Sequence, residues 1–212
     1  MANLQQETFK TWDKLADIYW EKFSAIQIYD ESYDQFLTLL SHPNPNILDL
    51  CCGPGNIAHY LKTKQNSIHI TGLDASPNMV AKAEVMVPSL VGIVMNMEDI
   101  GQLPNKYDGI ICGFGIPFLP HEKVNKWLLD CHLLLNTKGI FYLSFEEGDP
   151  TTSGVKIGST GDKTLFYVHR LEIIQLALQE VGFKDFLIWK LPYPTLENQT
   201  STHAVILCRK TE

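Results

Sequence analysis

The segment Asn46-Ile47-Leu48-Asp49-Leu50-Cys51-Cys52-Gly53-Pro54-Gly55-Asn56 restricts what this chain can fold into more than any other stretch. Ile47–Cys51 is an apolar run of strand length, Gly53 and Gly55 make a turn, and Asn56–Thr63 has the pattern of a helix. Glycine suits such a turn because a side chain would block close approach of the backbone to a ligand. The helix start presents unpaired N–H groups and the positive end of its dipole to an anionic group. A buried strand that passes through glycines into a helix begins a βαβ unit, whose strands pair in parallel. Taken alone, Gly53-Pro54-Gly55-Asn56-Ile57-Ala58 satisfies the GxGxxA form of a dinucleotide-binding turn, a weak signal without further residues.

The rest of the chain extends the same pattern. Short apolar runs at Ser67–Leu73, Leu90–Met95, Gly109–Cys112 and Gly139–Phe145 alternate with helical stretches at Pro77–Val87 and His121–Leu135. Such alternation predicts a parallel sheet covered by helices on both faces. Leu171–Val181 is a further helix stopped by Gly182, and Phe186–Leu191 and Ala204–Cys208 follow as two strands with no helix between them. Those two are most simply an antiparallel pair at the sheet edge. Before the sheet, Phe9, Trp12, Leu15, Ala16, Tyr19, Phe23 and Ile26 recur every three or four residues, so the spacing predicts one amphipathic helix. A second helix, roughly Tyr29–Leu40, ends before Pro43 and Pro45.

Composition narrows the function classes. At 212 residues the chain is sized for one domain with a substantial core. Lys and Arg number 17 against 24 Asp and Glu, a net charge of −7, and no window is dominated by basic side chains. Broad nucleic-acid or anionic-membrane binding, which needs clustered Lys and Arg, is therefore not expected. The five cysteines form no CxxC pair, so neither a metal site nor a disulfide framework is expected. The start MANLQQETFK lacks a signal-peptide pattern and no apolar run approaches about 18 residues, which points to a soluble, reduced, cytoplasmic protein.

Two acids sharpen the glycine turn. Asp49 precedes it, and Asp74 ends the next strand about 20 residues beyond Gly55. A carboxylate placed there can accept from both hydroxyls of a ribose in charge-assisted hydrogen bonds. The alternative is that Asp74 caps the helix that begins at Pro77–Met79.

With these residues the sequence resembles class I S-adenosylmethionine (SAM)-dependent methyltransferases. ILDLCCGPG is similar to their first motif and GLDASPNMV to the acid-bearing second. VMNMEDIGQLP, YDGIICGFGIPFL, LLLNTKGIFYLSF and the closing EVGFKDFLIW…THAVILCRK resemble the later motifs and the reversed edge hairpin, over about Asn46 to Lys210. The resemblance implies a Rossmann-like doubly wound α/β fold, with a seven-stranded, mostly parallel sheet and an antiparallel C-terminal edge hairpin. One domain over 1–212 is implied: a helical lid at 1–42, a SAM-binding core at 46–145, a substrate-loop insertion at 146–170, and a C-terminal helix and hairpin at 171–212. It implies SAM as cofactor, S-adenosylhomocysteine (SAH) as product and a small-molecule methyl acceptor.

By the same resemblance, Asp49, Cys51, Gly53 and Gly55 line the methionine part of SAM, and Asp74 holds the ribose. Ala75 and Met79 flank sugar and adenine, Asn96, Met97 and Glu98 surround the adenine edge, and Cys112 and Gly113 offer backbone groups to the methionyl amine. Tyr19 belongs to a first helix folded over SAM and substrate, or equally is a residue of the core stripe. Cys51 stands where the family usually has its first glycine, and Asn96 where it often has an acid.

Methyl transfer from a sulfonium needs a base only if the acceptor must lose a proton. For the acceptor site, Phe114, Phe118 and His121 follow the fourth strand on the edge where α/β ligands collect, although His121 also suits a helix start. Glu146-Glu147-Gly148-Asp149 opens a long polar loop that ends in Tyr167-Val168-His169-Arg170, with a small hairpin of Val155–Ile157 against Leu165–Val168 turning at Ser159–Asp162. Tyr167 and His169 are the catalytic candidates and Arg170 a substrate-binding one; a helix-start histidine reads the same way. Two other functions fit: an NAD-dependent oxidoreductase, disfavoured by the absence of a second catalytic domain, and a non-catalytic SAM-binding module.

Overall fold

A computed structural model of the chain describes residues 2–23, 26–158, 161–194 and 200–211. Two short helices, α1 (Ala2–Lys14) and α2 (Ala16–Phe23), precede α3 (Asp30–Leu39). The sheet then alternates with helices: β1 (Asn46–Leu50), α4 (Asn56–Lys64), β2 (His69–Asp74), α5 (Pro77–Met86), β3 (Val91–Val94), β4 (Tyr107–Gly113), α6 (His121–Leu134) and β5 (Leu135–Glu147). A hairpin of β6 (Gly154–Ile157) and β7 (Lys163–Phe166), then α7 (Leu171–Glu180), β8 (Phe183–Pro194) and β9 (Thr200–Lys210) complete it.

Seven strands form one sheet in the order β3-β2-β1-β4-β5-β9-β8. β1 to β5 are parallel neighbours, whereas β9 runs antiparallel between β5 and β8, with Phe145 opposite Ala204 and Glu146 opposite His203. The closing strands thus form the antiparallel edge hairpin expected from their lack of an intervening helix. Chain order reverses between β1 and β4, and in open α/β sheets ligands bind at the carboxyl ends of the strands beside that reversal.

Alternation of side chains explains why these strands read as unbroken apolar runs. Leu48, Leu50, Ile110, Phe141 and Leu143 pack toward Trp127 of α6 and Leu178 of α7. Their chain neighbours Ile47, Ile111, Ile140 and Tyr142 face the opposite way, onto Phe36 of α3, Leu61 of α4 and Ala83 of α5. Both faces are buried.

Two sequence expectations need correction. The single N-terminal helix is two, because at Leu15 the chain tightens: Leu15 N–H donates to Trp12 O at 3.1 Å, a three-residue step, and the α pattern resumes with Tyr19 N–H to Leu15 O. The apolar spacing runs through the break, so periodicity could not reveal it. The 154–166 hairpin forms as a separate two-stranded sheet, with Val155 opposite Leu165. Its strand at 165–168 ends at Phe166, and residues 159 and 160 of the expected turn lie outside the described residues. Among the described residues no helix is long and apolar enough to cross a membrane, and no group of His, Cys, Asp and Glu could hold a metal ion.

Candidate active site

The glycine turn departs from β1 by left-handed steps: φ is +54° at Cys51, +53° at Gly53 and +92° at Gly55. Cys51 therefore adopts a backbone conformation that favours glycine and costs a side-chain-bearing residue about 1–2 kcal/mol. At Gly55 a side chain would be strained, since φ is +92° and a Cβ there would crowd Ala83 Cα at 3.1 Å. Cys52 N–H donates to Leu73 O at 3.0 Å, which ties the turn to the end of β2.

Asp74 closes the arrangement. One carboxylate oxygen accepts from Gly53 N–H at 3.0 Å and the other from Ser76 N–H at 2.9 Å. Burial raises its pKa, and the hydrogen bonds from Ser76, Gly53 and Ala75 oppose that shift. The cap of α5 is Ser76, whose hydroxyl accepts from Met79 N–H at 3.0 Å, so capping is not the work of Asp74. With three backbone donors engaged, the Asp74 carboxylate keeps acceptor capacity for about one further hydrogen bond, and it lines the cavity.

That cavity has a volume of about 410 Å³ and lies over the carboxyl ends of the strands. Cys51, Gly53, Asp74, Ala75, Met79, Asn96 and Met97 line one end, with Tyr19 above them. Burial, followed by the neighbouring Asp74, pushes the Tyr19 phenol up to about 12. Asn96 uses its side-chain oxygen to accept from Glu98 N–H at 3.0 Å, which fixes the turn carrying Met97. Gly113, Phe114, Phe118, Tyr29, Tyr193, Glu146 and His203 line the other end.

The N-terminal helices roof the cavity because their polar face is bonded down at two places. Asp13 of α1 accepts from Ser76 Oγ at 2.6 Å and from Asn78 N–H at 3.0 Å, at the start of α5. Thr8 Oγ1 accepts from Leu165 N–H at 2.8 Å, which fastens α1 to the hairpin. Phe9 and Trp12 then face the cavity, and the Trp12 ring meets Tyr19 and Phe118 edge-on at 5.6 and 5.4 Å.

Several of the residues singled out in the sequence lie elsewhere. Asp49 is wholly buried beneath the turn and its oxygens meet no donor of normal geometry. Burial, then Asp74, pushes it up to about 8. Gly55 turns toward Ala83, Cys112 is buried in the sheet, and Glu98 accepts from Gln5 Nε2 at 3.0 Å and pairs with Lys123. None of these four lines the cavity.

The expected catalytic pair is also outside it. His169 is buried with Nε2 against Ile116 O at 3.0 Å, and its pKa falls to about 4 through burial. His121 bonds Val168 O at 2.8 Å and packs on His169 and Tyr167 at 4.9 and 5.5 Å, while Arg170 reaches Asp149 at 3.9 Å. Tyr167, His169 and His121 form one cluster beside the loop after β4, to which Tyr167 N–H donates at Pro117 O, 2.7 Å, and none of the three, nor Arg170, lines the cavity.

Sequence reasoning missed Asn56, Tyr29, Tyr193 and His203. Asn56 lines the cavity with both polar atoms of its amide buried and unpartnered. The one usable signal was a polar residue in an apolar setting: Asn56 directly after the glycine turn and His203 beside Ala204-Val205-Ile206-Leu207.

Comparison with known proteins agrees with this geometry. Residues 47–139 match the model of the methyltransferase domain family. A demethylmenaquinone methyltransferase of Thermotoga maritima is 32% identical over 102 residues, 48% of this chain and 44% of that protein. The chain spans about half the length of the curated relatives it matches. Among solved structures, the complex of DhpI with SAH superposes with a TM-score of 0.74 at 12% identity, covering 100% of this chain and 98% of the other. The N-methyltransferase NodS of Bradyrhizobium japonicum, in complex with SAH, gives 0.72 at 14% identity, covering 97% and 100%. The fold is that of these methyltransferases.

Proposed function

We propose that this chain, whose residues 47–139 match the methyltransferase domain family, is an enzyme that transfers a methyl group from SAM to a small-molecule acceptor. The observation that carries the reading is Asp74, held by Gly53 and Ser76 at the end of β2 with acceptor capacity left toward the cavity. The unpartnered amide of Asn56 supports it, since a buried polar group without a partner costs about 1–3 kcal/mol that a polar ligand can recover.

SAM supplies an electrophilic methyl group on a sulfonium. Asp74 holds the ribose, Ala75 and Met79 flank the sugar and adenine, and Asn96 and Met97 meet the adenine edge. Cys51, Gly53 and Gly113 line the methionine portion, and Asn56 offers its amide beside them. Residues 1–42 act as the lid that excludes water, 46–145 as the cofactor core, 146–170 as the substrate-loop insertion and 171–212 as the closing helix and hairpin. In-line displacement needs the acceptor held at near-attack distance in a dry site, which the aromatic roof provides. The acceptor occupies the end bounded by Phe114 and Phe118, and the enzyme works in the cytoplasm. Tyr167 and His169 have no catalytic part in this proposal, nor His121 and Arg170 a substrate contact.

Incubating the protein with methyl-labelled SAM and pooled small acceptors tests the activity. Label moving to an extractable product with equal release of SAH is the expected result. SAM that binds without turnover on any pool would instead make the chain a binding module.

A further inference from the structure

The acceptor end of the cavity contains a hydrogen-bonded chain that cofactor binding leaves unused. Tyr29 Oη and His203 Nδ1 lie 2.5 Å apart, His203 Nε2 is 3.3 Å from Ser201 Oγ, and the Ser201 hydroxyl donates to Tyr193 O at 3.5 Å. Ser201 has one proton and the carbonyl can only accept, so Ser201 receives the N–H of His203. A neutral imidazole carries a single N–H, which leaves Nδ1 bare to accept the phenol proton of Tyr29. Burial keeps the ring neutral: it lowers the His203 pKa to about 4 against the opposing pull of Glu146. The Tyr29 oxygen, its own proton committed, turns its lone pairs to the cavity.

The walls define what binds there. Tyr193 stacks on the His203 ring at 4.4 Å, Phe114 meets it edge-on at 4.7 Å, and Phe118 meets Phe166 at 6.0 Å. Among the described residues lining the cavity there is no lysine or arginine, whereas Asp30, Asp74 and Glu146 are present. Lys156 lies 3.7 Å over the Phe166 ring but is already paired with Glu146 at 3.2 Å, so an anionic acceptor would meet carboxylates and no unpaired cation among the described lining residues.

We propose that the acceptor is a neutral aromatic alcohol, and that Tyr29 takes its hydroxyl proton while passing its own to His203. This rests on the methyl-transfer reading above. As the acceptor oxygen bonds to the methyl carbon, the carbon–sulfur bond breaks and its electron pair stays on sulfur. The acceptor proton moves to Tyr29 Oη, and the former Tyr29 proton moves to His203 Nδ1. One positive charge leaves the sulfonium and one appears on the imidazolium, whose neighbours are Glu146 and, across a 3.2 Å ion pair with it, Lys156. The oxygen becomes strongly acidic as it gains the methyl group, so a weakly basic imidazole suffices.

The probes are 2-naphthol and 2-naphthoate, of similar shape and different charge. SAH-loaded protein is expected to bind 2-naphthol at least about tenfold more tightly, and to methylate it when given SAM. Equal or tighter binding of 2-naphthoate, or no methylation of 2-naphthol, overturns the acceptor class. Tyr29→Phe is expected to keep SAH affinity within about threefold and to weaken 2-naphthol by no more than about tenfold, the loss of one hydrogen bond, while the methylation rate at saturating 2-naphthol falls about a hundredfold, the usual contribution of a placed proton acceptor. A rate within threefold of the parent overturns the relay. Nitrogen-15 NMR of His203 gives a readout independent of turnover: a bare Nδ1 and protonated Nε2 at pH 7, with Nδ1 shifting in Tyr29→Phe. The opposite tautomer refutes the proton path. Protein that binds no SAH fails at the cofactor reading, and the proposal falls with it.

Discussion

Replacing Asp74 with alanine probes the cofactor end of the cavity most sharply. Its two oxygens already accept from Gly53, Ser76 and Ala75, which leaves room for about one ribose hydroxyl. A hydrogen bond to a charged acceptor contributes about 1.5–3 kcal/mol, and about 1.4 kcal/mol is tenfold in Kd. Losing that bond thus weakens SAM and SAH binding by about ten- to a hundredfold. Alanine also releases the backbone N–H groups of Gly53, Ser76 and Ala75 that shape the turn, so the effect is expected above the lower bound. Asp74→Asn separates the two contributions, because its carbonyl still accepts one of them. Calorimetric titration with SAH checks the ratio, and circular dichroism checks that the fold is intact. A folded Asp74→Ala protein that binds SAH within threefold of the parent would refute the ribose assignment.

Four further outcomes follow from the geometry. Cys51→Gly removes a left-handed strain of about 1–2 kcal/mol but loosens the unfolded chain by about 0.5–1 kcal/mol, so thermal unfolding should show stability unchanged or slightly raised; a large loss would mean that the thiol, not the backbone, matters there. Gly55→Ala should destabilise the protein and reduce SAH binding, because φ of +92° strains a side chain and its Cβ would crowd Ala83; unchanged melting would contradict this. Asp49 has a folded pKa of about 8, far above its unfolded value, so the native state holds a proton that the unfolded state has lost. Stability is then greatest below about pH 4 for this group and declines toward pH 8, and Asp49→Asn should gain melting temperature over the parent as pH rises through that window. His169 has the opposite sign: its pKa of about 4 makes its contribution full above about pH 6.5 and lost on acidification toward 4. His169→Ala should destabilise the protein yet leave SAH affinity near the parent value; a specific loss of SAH affinity would return it to the site.

Much of this architecture was legible because it rests on local patterns. Each sheet strand buried on both faces reads as a short apolar run, so β1, β2 and β4 could be placed within a residue or two. The turn at Gly53 and Gly55 was legible from glycine's steric freedom, and Asp74 from its distance beyond it. The break at Leu15 was not, since the apolar stripe is continuous across it. The acceptor end was hidden for a different reason. Tyr29 lies far from Tyr193 and His203 in the chain, and the latter two meet only through the antiparallel register that sets Tyr193 opposite Ser201. A one-residue slip of that register would turn His203 to the other face. His169, by contrast, looked available in the sequence but is consumed by a backbone carbonyl.

The most direct measurement is parallel calorimetric titration of the purified protein with SAM, SAH and NAD. Micromolar binding of both adenosyl ligands with none of NAD is the predicted result. Binding of NAD alone would contradict the account, and would make the turn between β1 and α4 a dinucleotide site.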